Sequence, residues 1–339
     1  MTVRVGVVGA GIMGADHVNT LHRSISGAAV TMVADVDIER AKAVAQTIPG
    51  ATATADGLSL IADGSVDAVL IASHDSTHAA LVLAAIDAGK PVLCEKPLAP
   101  TVAECLAIVR AEAAAVGKTA RPLISLGFMR RFDPGYTQMK GALAQGSIGN
   151  PVLVHCISRG VSSAPGASNE SSVTGSAIHE FDVLPWLLGS PIVEVSWHSG
   201  KPSALVDGFT DPHLILLRTA DGVLSTLEVF LNARYGYDVR CEVVGEQGTL
   251  ALSEPARMVT DFSRGRTVGY PADWRPRFAD AYRLELQAWI DGQDAAEPAQ
   301  PIALASAYDG LVAGVVAEAV IASMQNGGRP VTVTVPALA

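Results

Sequence analysis

The stretch VRVGVVGAGIMG, residues 3–14, decides how the N-terminal part of the chain folds. Its first half, Val3–Val8, is apolar apart from Arg4 and predicts a strand that is buried on both faces. A Gly-Ala-Gly-Ile-Met-Gly turn follows, and Ile12–Ser24 predicts a helix that begins inside this turn. A strand, a glycine-rich turn and a helix in this order predict a β–α unit whose helix N-terminus faces an anion.

The glycine spacing matches the G-x-G-x-x-G pattern that binds the pyrophosphate of a dinucleotide. The first glycine permits the tight turn, the second lets pyrophosphate approach the backbone, and the third lets helix and strand pack closely. Asp35 follows 21 residues after Gly14, at the predicted end of the second strand. An acid there accepts hydrogen bonds from the adenosine ribose and repels a 2′-phosphate, which predicts NAD rather than NADP. The predicted cofactor contacts in this region are Gly9, Gly11, Ile12, Met13, Gly14 and Asp35.

Arg40 is the residue that argues for NADP, because an arginine near the second strand can bind a 2′-phosphate. It lies beside Glu39 in the next predicted helix. We interpret it as an ordinary surface residue of that helix.

The two parts of the chain differ in their apolar patterns. Up to about residue 125, β-branched runs without polar alternation are separated by Ala-rich helical stretches, which predicts an α/β fold with a doubly wound parallel sheet. Beyond it, runs joined by short turns predict an α+β domain with an open, mainly antiparallel sheet. The predicted domains are therefore 1–125 and 126–339. The predicted strands are Val3–Val8, Val30–Ala34, Val66–Ala72, Val92–Glu95, Leu123–Gly127, Val152–Ser158, Ile192–His198, His213–Arg218, Leu224–Leu231, Val239–Val244 and Thr249–Leu252.

Composition excludes several classes of protein. The 339 residues carry 24 basic and 34 acidic side chains, a net charge of −10, with no basic cluster longer than Arg130–Arg131, so nucleic acid and anionic membranes are poor partners. Apolar stretches such as Ala79–Ile86 fall short of the ~20 residues of a membrane span. The four cysteines form no C-x-x-C pair, which indicates reduced thiols and a cytoplasmic protein. We find no metal-ligand spacing and expect no metal.

The string AGKPVLCEKPLA, residues 88–99, is the most specific motif of the chain. It resembles the signature of the glucose–fructose oxidoreductase/inositol dehydrogenase/rhizopine-catabolism (Gfo/Idh/MocA) family, and the likeness covers nearly the full chain. The family pairs a Rossmann domain with an open antiparallel sheet that serves substrate binding and oligomerisation. The resemblance places Glu95 and Lys96 near the nicotinamide, at the carboxyl end of a strand where α/β sheets present ligands.

Within the family, five segments resemble the inositol 2-dehydrogenases: Gly127–Asp133, Ile148–Pro151, Ile178–Asp182, Tyr235–Asp238 and Trp274–Tyr282. The resemblance implies Lys96 and His179 as catalytic residues. It implies Arg130, Ser176, Asp182 and Tyr237 as substrate-binding residues. Further cofactor contacts implied by it are Ser73, His74, Trp274 and Tyr282, although the last two, as aromatic residues, also suit a plain core.

The substrate side departs from that resemblance at two positions. Those enzymes carry an aspartate four residues before the histidine, where this chain has Gly175. They also show His-Arg-Asn where this chain has Ser158-Arg159-Gly160. One interpretation is a site enlarged at Gly160 and Gly175 for an aminocyclitol, sugar or glycoside. Another is a catalytically silent NAD-binding sensor or scaffold.

The chemistry that these residues support is oxidation of a CH–OH group by an NAD-dependent dehydrogenase, with a cyclitol such as inositol, or a related polyol or sugar, as substrate. His179 is the natural proton acceptor, since imidazole titrates near neutral pH. Lys96 stabilises alkoxide charge or, if desolvation lowers its pKa, relays the proton itself. Asp182 lies three residues after His179 and orients the imidazole or binds a hydroxyl.

The strands of the second sheet carry more apolar residues than a half-solvated sheet needs, as in Leu214–Leu217 and Val223–Leu231. An apolar face of this kind predicts a partner surface. We expect a homo-oligomer, and by family resemblance a homotetramer joined through these sheets.

Overall fold

A computed structural model describes residues 2–119, 122–204, 206, 208–253, 258–293 and 304–338. The chain divides into two compact units. The first contains residues 1–132, 280–314 and 335–339, and the second contains residues 133–279 and 315–334. Each unit is therefore assembled from segments that are distant in sequence, which a single linear boundary does not describe.

The first unit contains a seven-stranded sheet with the order β15-β6-β5-β4-β1-β2-β3. All neighbours pair in parallel except β15, which is antiparallel to β6. This arrangement confirms the predicted Rossmann-type sheet. Its strands are β1 (Val3–Val8), β2 (Ala28–Ala34), β3 (Thr52–Thr54), β4 (Ala68–Ile71), β5 (Val92–Glu95), β6 (Ile124–Gly127) and β15 (Ala305–Ser306).

Helices connect these strands, as parallel pairing requires. The helices up to β6 are α1 (Ile12–Ser24), α2 (Ile38–Ala45), α3 (Gly57–Ala62), α4 (His78–Asp87) and α5 (Val102–Thr119), with 3₁₀ turns at Asp75–Thr77 and Met129–Phe132. The core beside α1 contains Val5, Val7, Val18 and Leu21, all 1% exposed or less. Trp289, from much later in the chain, is fully buried in the same cluster.

The second unit contains a seven-stranded sheet with the order β12-β11-β7-β10-β9-β8-β16. Pairing is antiparallel throughout except between β7 and β10, which are parallel. The predicted, mainly antiparallel sheet is thus confirmed. Its strands are β7 (Pro151–Arg159), β8 (Ile192–Ser199), β9 (His213–Thr219), β10 (Leu224–Phe230), β11 (Asp238–Gly245), β12 (Thr249–Ala251) and β16 (Val331–Thr332), and a separate hairpin consists of β13 (Val259–Phe262) and β14 (Gly265–Val268).

The second unit begins with α6 (Pro134–Ala144), and a helical stretch follows β7. That stretch consists of α7 (Asn169–Ser172), a π-helical segment Val173–Ala177 and α8 (Ile178–Leu188). α8 continues through Pro185 and ends at Gly189, whose positive φ of 71° suits glycine. The π segment is a local widening that is frequent at functional sites.

Two long helices, α9 (Trp274–Asp291) and α10 (Ala307–Gln325), contribute residues to both units. By length and composition α10 could cross a membrane, whereas the sequence analysis expected no such span. However, 56% of its apolar window is buried inside the fold, including Leu311, Val316 and Val320 at 0% exposure. A core helix passes the same test, so this is weak evidence for a membrane span.

Candidate active site

The glycine turn after β1 forms a cradle that side chains would fill. Gly9 has a φ of +98°, and a Cβ there would lie 2.5 Å from the backbone of Ala72. A Cβ at Gly14 would lie 1.8 Å from the carbonyl oxygen of Gly9. At Gly11 a Cβ would meet nothing within 4 Å, so this side of the turn is open to a ligand. The close approaches at Gly9 and Gly14 and the open space at Gly11 are the geometry that the three predicted roles need.

Asp35 is held firmly at the end of β2. Its carboxylate accepts hydrogen bonds from the N–H groups of Ala10 at 2.8 Å and Asp37 at 2.9 Å. The guanidinium of Arg40 lies 3.6 Å from the same carboxylate and 3.4 Å from that of Asp37. Arg40 is therefore part of this acidic cluster and not merely a surface neighbour of Glu39, which pairs with Lys42 instead.

A cavity of about 490 Å³ lies beside this cluster and is lined by Asp35, Arg40 and the glycine turn. Val36 and Leu58, which also line it, are 93% and 53% exposed, so their apolar surface is available to a flat ring. The residues present therefore fit the adenosine half of NAD. Ser73 and His74, two of the predicted cofactor contacts, are also among the residues that line the cavity. The Ser73 hydroxyl bonds to Thr77 at 2.7 Å, and the His74 ring lies 2.8 Å from Asp75. Ile12 at the start of α1 is 71% exposed, and Met13 beside it is partly buried.

Lys96 follows directly after β5, at the carboxyl end of the sheet, and its bond to Pro97 is cis. Burial lowers the pKa of its ammonium group below the ordinary value, and the Glu95 carboxylate opposes this effect. The guanidinium of Arg130, which is 1% exposed, lowers the Lys96 pKa further, while Asp75 raises it. Lys96 thus combines the position and the electrostatics of a lysine that exchanges protons.

Glu95 is 8% exposed and does not point freely toward a ligand. One carboxylate oxygen lies 2.8 Å from Nε2 of His17, and the other accepts the N–H of Lys96 at 3.2 Å. The ring of Tyr282 contacts His17 edge-to-face at 5.7 Å. The sequence analysis missed His17. The one sequence feature that marks His17 is its position three residues after Gly14, on the face of α1 that also buries Val18.

In the second unit, His179 and Asp182 lie on α8 and are 9% and 4% exposed, so the helix does place both where solvent is largely excluded. Ser176 lies in the π-helical segment, and its hydroxyl is 3.2 Å from that of Ser158 on β7. Gly175, beside it, is exposed, and a Cβ there would meet nothing within 4 Å. The position of the family aspartate is therefore open space in this chain.

Gly160, the other position of the enlarged-site interpretation, lies against a second chain segment. A Cβ there would lie 2.9 Å from the carbonyl oxygen of Leu231. The backbone of Gly160 also donates to Phe230 at 2.9 Å and accepts from Ala233 at 3.0 Å. A second chain segment thus approaches closely at this position, so the absence of a side chain at Gly160 leaves no open space beside its Cα, in contrast to Gly175.

Aromatic and ionic groups surround the remaining predicted residues of the second unit. The Tyr237 ring contacts Phe278 edge-to-face at 6.3 Å, and Trp274 begins α9 with the guanidinium of Arg275 5.7 Å from its ring. Sequence reasoning also missed a network in which Arg159 forms two hydrogen bonds to Glu228, at 2.7 and 2.8 Å. Among the residues that the structure describes, no group of three His, Cys, Asp or Glu side chains is arranged to hold a metal ion.

Comparison with known proteins places these features in a family. Residues 3–120 match the model described as "Oxidoreductase family, NAD-binding Rossmann fold", and residues 136–251 match "GFO/IDH/MocA C-terminal domain". The chain belongs to the Gfo/Idh/MocA oxidoreductase family. The matched N-terminal model is an NAD-binding Rossmann fold, so NAD is the cofactor of this chain.

Relatives within the family are similar over their full length. Inositol 2-dehydrogenase 2 of Paenarthrobacter aurescens is 52% identical over 98% of this chain and 99% of its own. The inositol 2-dehydrogenase/D-chiro-inositol 3-dehydrogenase of Shouchella clausii is 44% identical over 99% and 95%. The crystal structure of myo-inositol dehydrogenase from Lactobacillus casei with NAD(H) and myo-inositol has a TM-score of 0.92 and 34% identity, covering 99% of this chain and 98% of that one.

Proposed function

We propose that this chain is an NAD-dependent dehydrogenase that oxidises a ring secondary hydroxyl of inositol or a related cyclitol to the ketone. The main support for a cyclitol substrate is the full-length similarity of the chain to proteins named inositol 2-dehydrogenase, one of which is 52% identical. The glycine cradle and Asp35 support the cofactor. In this proposal residues 1–125 bind the cofactor and residues 126–339 supply the substrate side.

Bound NAD would accept the hydride that leaves the hydroxyl-bearing carbon. His179 accepts the hydroxyl proton, because an imidazole changes protonation near cellular pH. Lys96 hydrogen-bonds the same oxygen and stabilises the developing negative charge. Burial lowers the pKa of Lys96 below its ordinary value, which favours a relay of the proton through its amine. Arg130, Ser176, Asp182 and Tyr237 are the proposed contacts of the other ring hydroxyls.

A second candidate within the same class is a cyclitol or sugar that carries a bulkier substituent, or an aminocyclitol. The open space at Gly175 favours it, because the family aspartate would occupy that position. A silent NAD-binding protein is the weaker alternative, since Lys96 and His179 are both retained.

The proposed assembly is a cytoplasmic homotetramer joined through the second sheet. Side chains on one face of β7, β9 and β10 are buried, while the opposite face carries apolar residues that are only partly covered, such as Leu153, Leu214, Leu216 and Phe230. A face of this composition is stabilised by a partner. Light scattering at micromolar concentration tests this, and a stable monomer would contradict it.

The functional test is NADH production over a panel of inositol stereoisomers, an aminocyclitol, free sugars and a glycoside. We expect turnover with NAD on at least one cyclitol. Turnover only on sugars or glycosides would favour the second candidate. Binding of NAD without turnover on the whole panel would support the silent protein.

A further inference from the structure

His17 lies in the first turns of α1, and Glu95 lies at the end of β5, 78 residues away in sequence. Nε2 of His17 is nevertheless only 2.8 Å from Oε1 of Glu95. They are 1% and 8% exposed. A carboxylate only accepts hydrogen bonds, so Nε2 of His17 carries the shared proton. Burying a carboxylate is costly unless a donor satisfies it, and His17 is that donor.

Glu95 also contacts the proposed catalytic lysine. Its second carboxylate oxygen accepts a hydrogen bond from the backbone N–H of Lys96 at 3.2 Å. This bond holds the carboxylate next to the backbone of Lys96. On its far side the carboxylate packs against Gly127, where a Cβ would lie 3.2 Å from it. The carboxylate is thus enclosed by His17, Lys96 and Gly127.

Two electrostatic effects connect the pair to Lys96. Burial would raise the pKa of Glu95, but the His17 hydrogen bond and the neighbouring charges outweigh it, so the pKa lies below its usual value. The resulting negative charge raises the pKa of Lys96 against the lowering effects of burial and of Arg130. Other titratable groups facing the three residues are Asp75, Cys94 and Tyr282.

We propose that His17 and Glu95 act as a positioning pair for Lys96: His17 donates a hydrogen bond to the buried Glu95 carboxylate, and the Glu95 charge beside Lys96 favours the ammonium form that stabilises the developing negative charge on the substrate oxygen. The proposal rests on the catalytic role of Lys96 given above. His17 acts only through Glu95, and neither residue needs to touch the substrate.

The test is the pH profile of kcat/KM for NADH production on the best substrate of the panel. Lys96→Met identifies which limb of the profile belongs to Lys96, because that limb disappears with the amine. Glu95→Gln removes the charge at constant shape, and we expect the Lys96 limb to move to lower pH by about one unit. His17→Leu leaves the buried Glu95 without its donor and should move the limb in the same direction.

Two comparisons separate this role from a structural one. The double variant His17→Leu/Glu95→Gln should shift the limb no more than Glu95→Gln alone, because His17 acts through Glu95. His17→Gln keeps an N–H donor near the position of Nε2 and should restore the wild-type position of the limb. This variant keeps the test decisive if His17→Leu fails to fold. Shifts that add in the double variant would overturn the proposal.

Glu112→Gln is the matched control. Glu112 is also 8% exposed and accepts two backbone N–H bonds, from Leu123 at 2.9 Å and Ile124 at 2.7 Å. Its substitution should leave the limb in place, and a shift there would overturn the proposal. If Lys96→Met keeps both turnover and limb, the role of Lys96 itself is wrong. If Lys96→Met abolishes the limb but Glu95→Gln leaves it unmoved, only the positioning pair is wrong.

Discussion

The cofactor side and the substrate side of this chain differ in how closely they follow the family pattern. On the cofactor side, every glycine of the turn has a distinct geometric role, and Asp35 is held by two backbone N–H groups. On the substrate side, the aspartate expected at position 175 is replaced by glycine in open space. The turn thus keeps the geometry of a dinucleotide site, whereas the second unit differs from the inositol 2-dehydrogenases that it resembles at a position that faces the ring in the proposed function.

The largest effect is expected at Lys96, which belongs to the better retained side. Lys96→Ala should lower turnover by at least ~10²-fold, because it removes a group that stabilises charge and moves protons. Binding of NAD should persist, since the glycine turn and Asp35 hold the adenosine half. Stopped-assay rates and NADH fluorescence titration measure the two quantities. Lys42→Ala, an exposed lysine paired with Glu39, is the control. Near-full turnover in Lys96→Ala would show that its catalytic assignment is wrong.

His179→Ala tests the other side with the same assay and should behave similarly, with a loss on the order of 10²-fold. If Lys96→Ala is inactive while His179→Ala keeps its turnover, His179 is not the proton acceptor. The substrate side would then differ from the family pattern at this residue as well.

Gly175 tests the comparison directly. We expect poor activity on myo-inositol and better activity on a bulkier or differently substituted ring. Gly175→Asp should reduce activity on that ring, because the carboxylate occupies the open space. Gly175→Asn has the same size without the charge and separates crowding from electrostatics. If the wild type oxidises myo-inositol efficiently and Gly175→Asp changes little, the substrate side is not enlarged.

We expect Asp35 to set the cofactor preference, with NAD favoured over NADP by about tenfold or more in apparent affinity, which corresponds to about 1.4 kcal/mol. Asp35→Ser should narrow this ratio, because a 2′-phosphate would no longer meet a like charge and would lie near Arg40, 3.6 Å from Asp35. Glu39→Ser, an exposed acid on the same helix, should leave the ratio unchanged. The ratio of kcat/KM for the two cofactors measures it, and a wild type that prefers NADP would reverse the assignment.

The last two effects concern stability and leave turnover aside, at two glycine sites. Gly160→Ala should lower the free energy of unfolding by about 1–3 kcal/mol, because the added Cβ meets the Leu231 carbonyl at 2.9 Å. Gly175→Ala should raise it by roughly 0.5–1 kcal/mol, since alanine loses less conformational freedom in a helix and the space is open. Denaturant midpoints measure both, and equal changes would contradict the distinction between the two glycines.

Local sequence determined the regular elements and the cofactor cradle. Val3–Val8, Ile12–Ser24 and Val92–Glu95 were predicted with the bounds that the structure shows. Apolar runs and glycines define such elements because strand burial and turn geometry depend on neighbouring residues. The glycine roles and the position of Asp35 follow from the same local signals.

Only the tertiary structure decided which distant residues meet. The sequence analysis did not predict β3, β15 and β16, which are two or three residues long and exist because a longer strand lies beside them. It also gave no sign that His17 would join Glu95, that Arg40 would pair with Asp35, or that Leu231 would approach Gly160. Each of these depends on packing between segments far apart in the chain, where shape and burial, rather than local propensity, determine the partner.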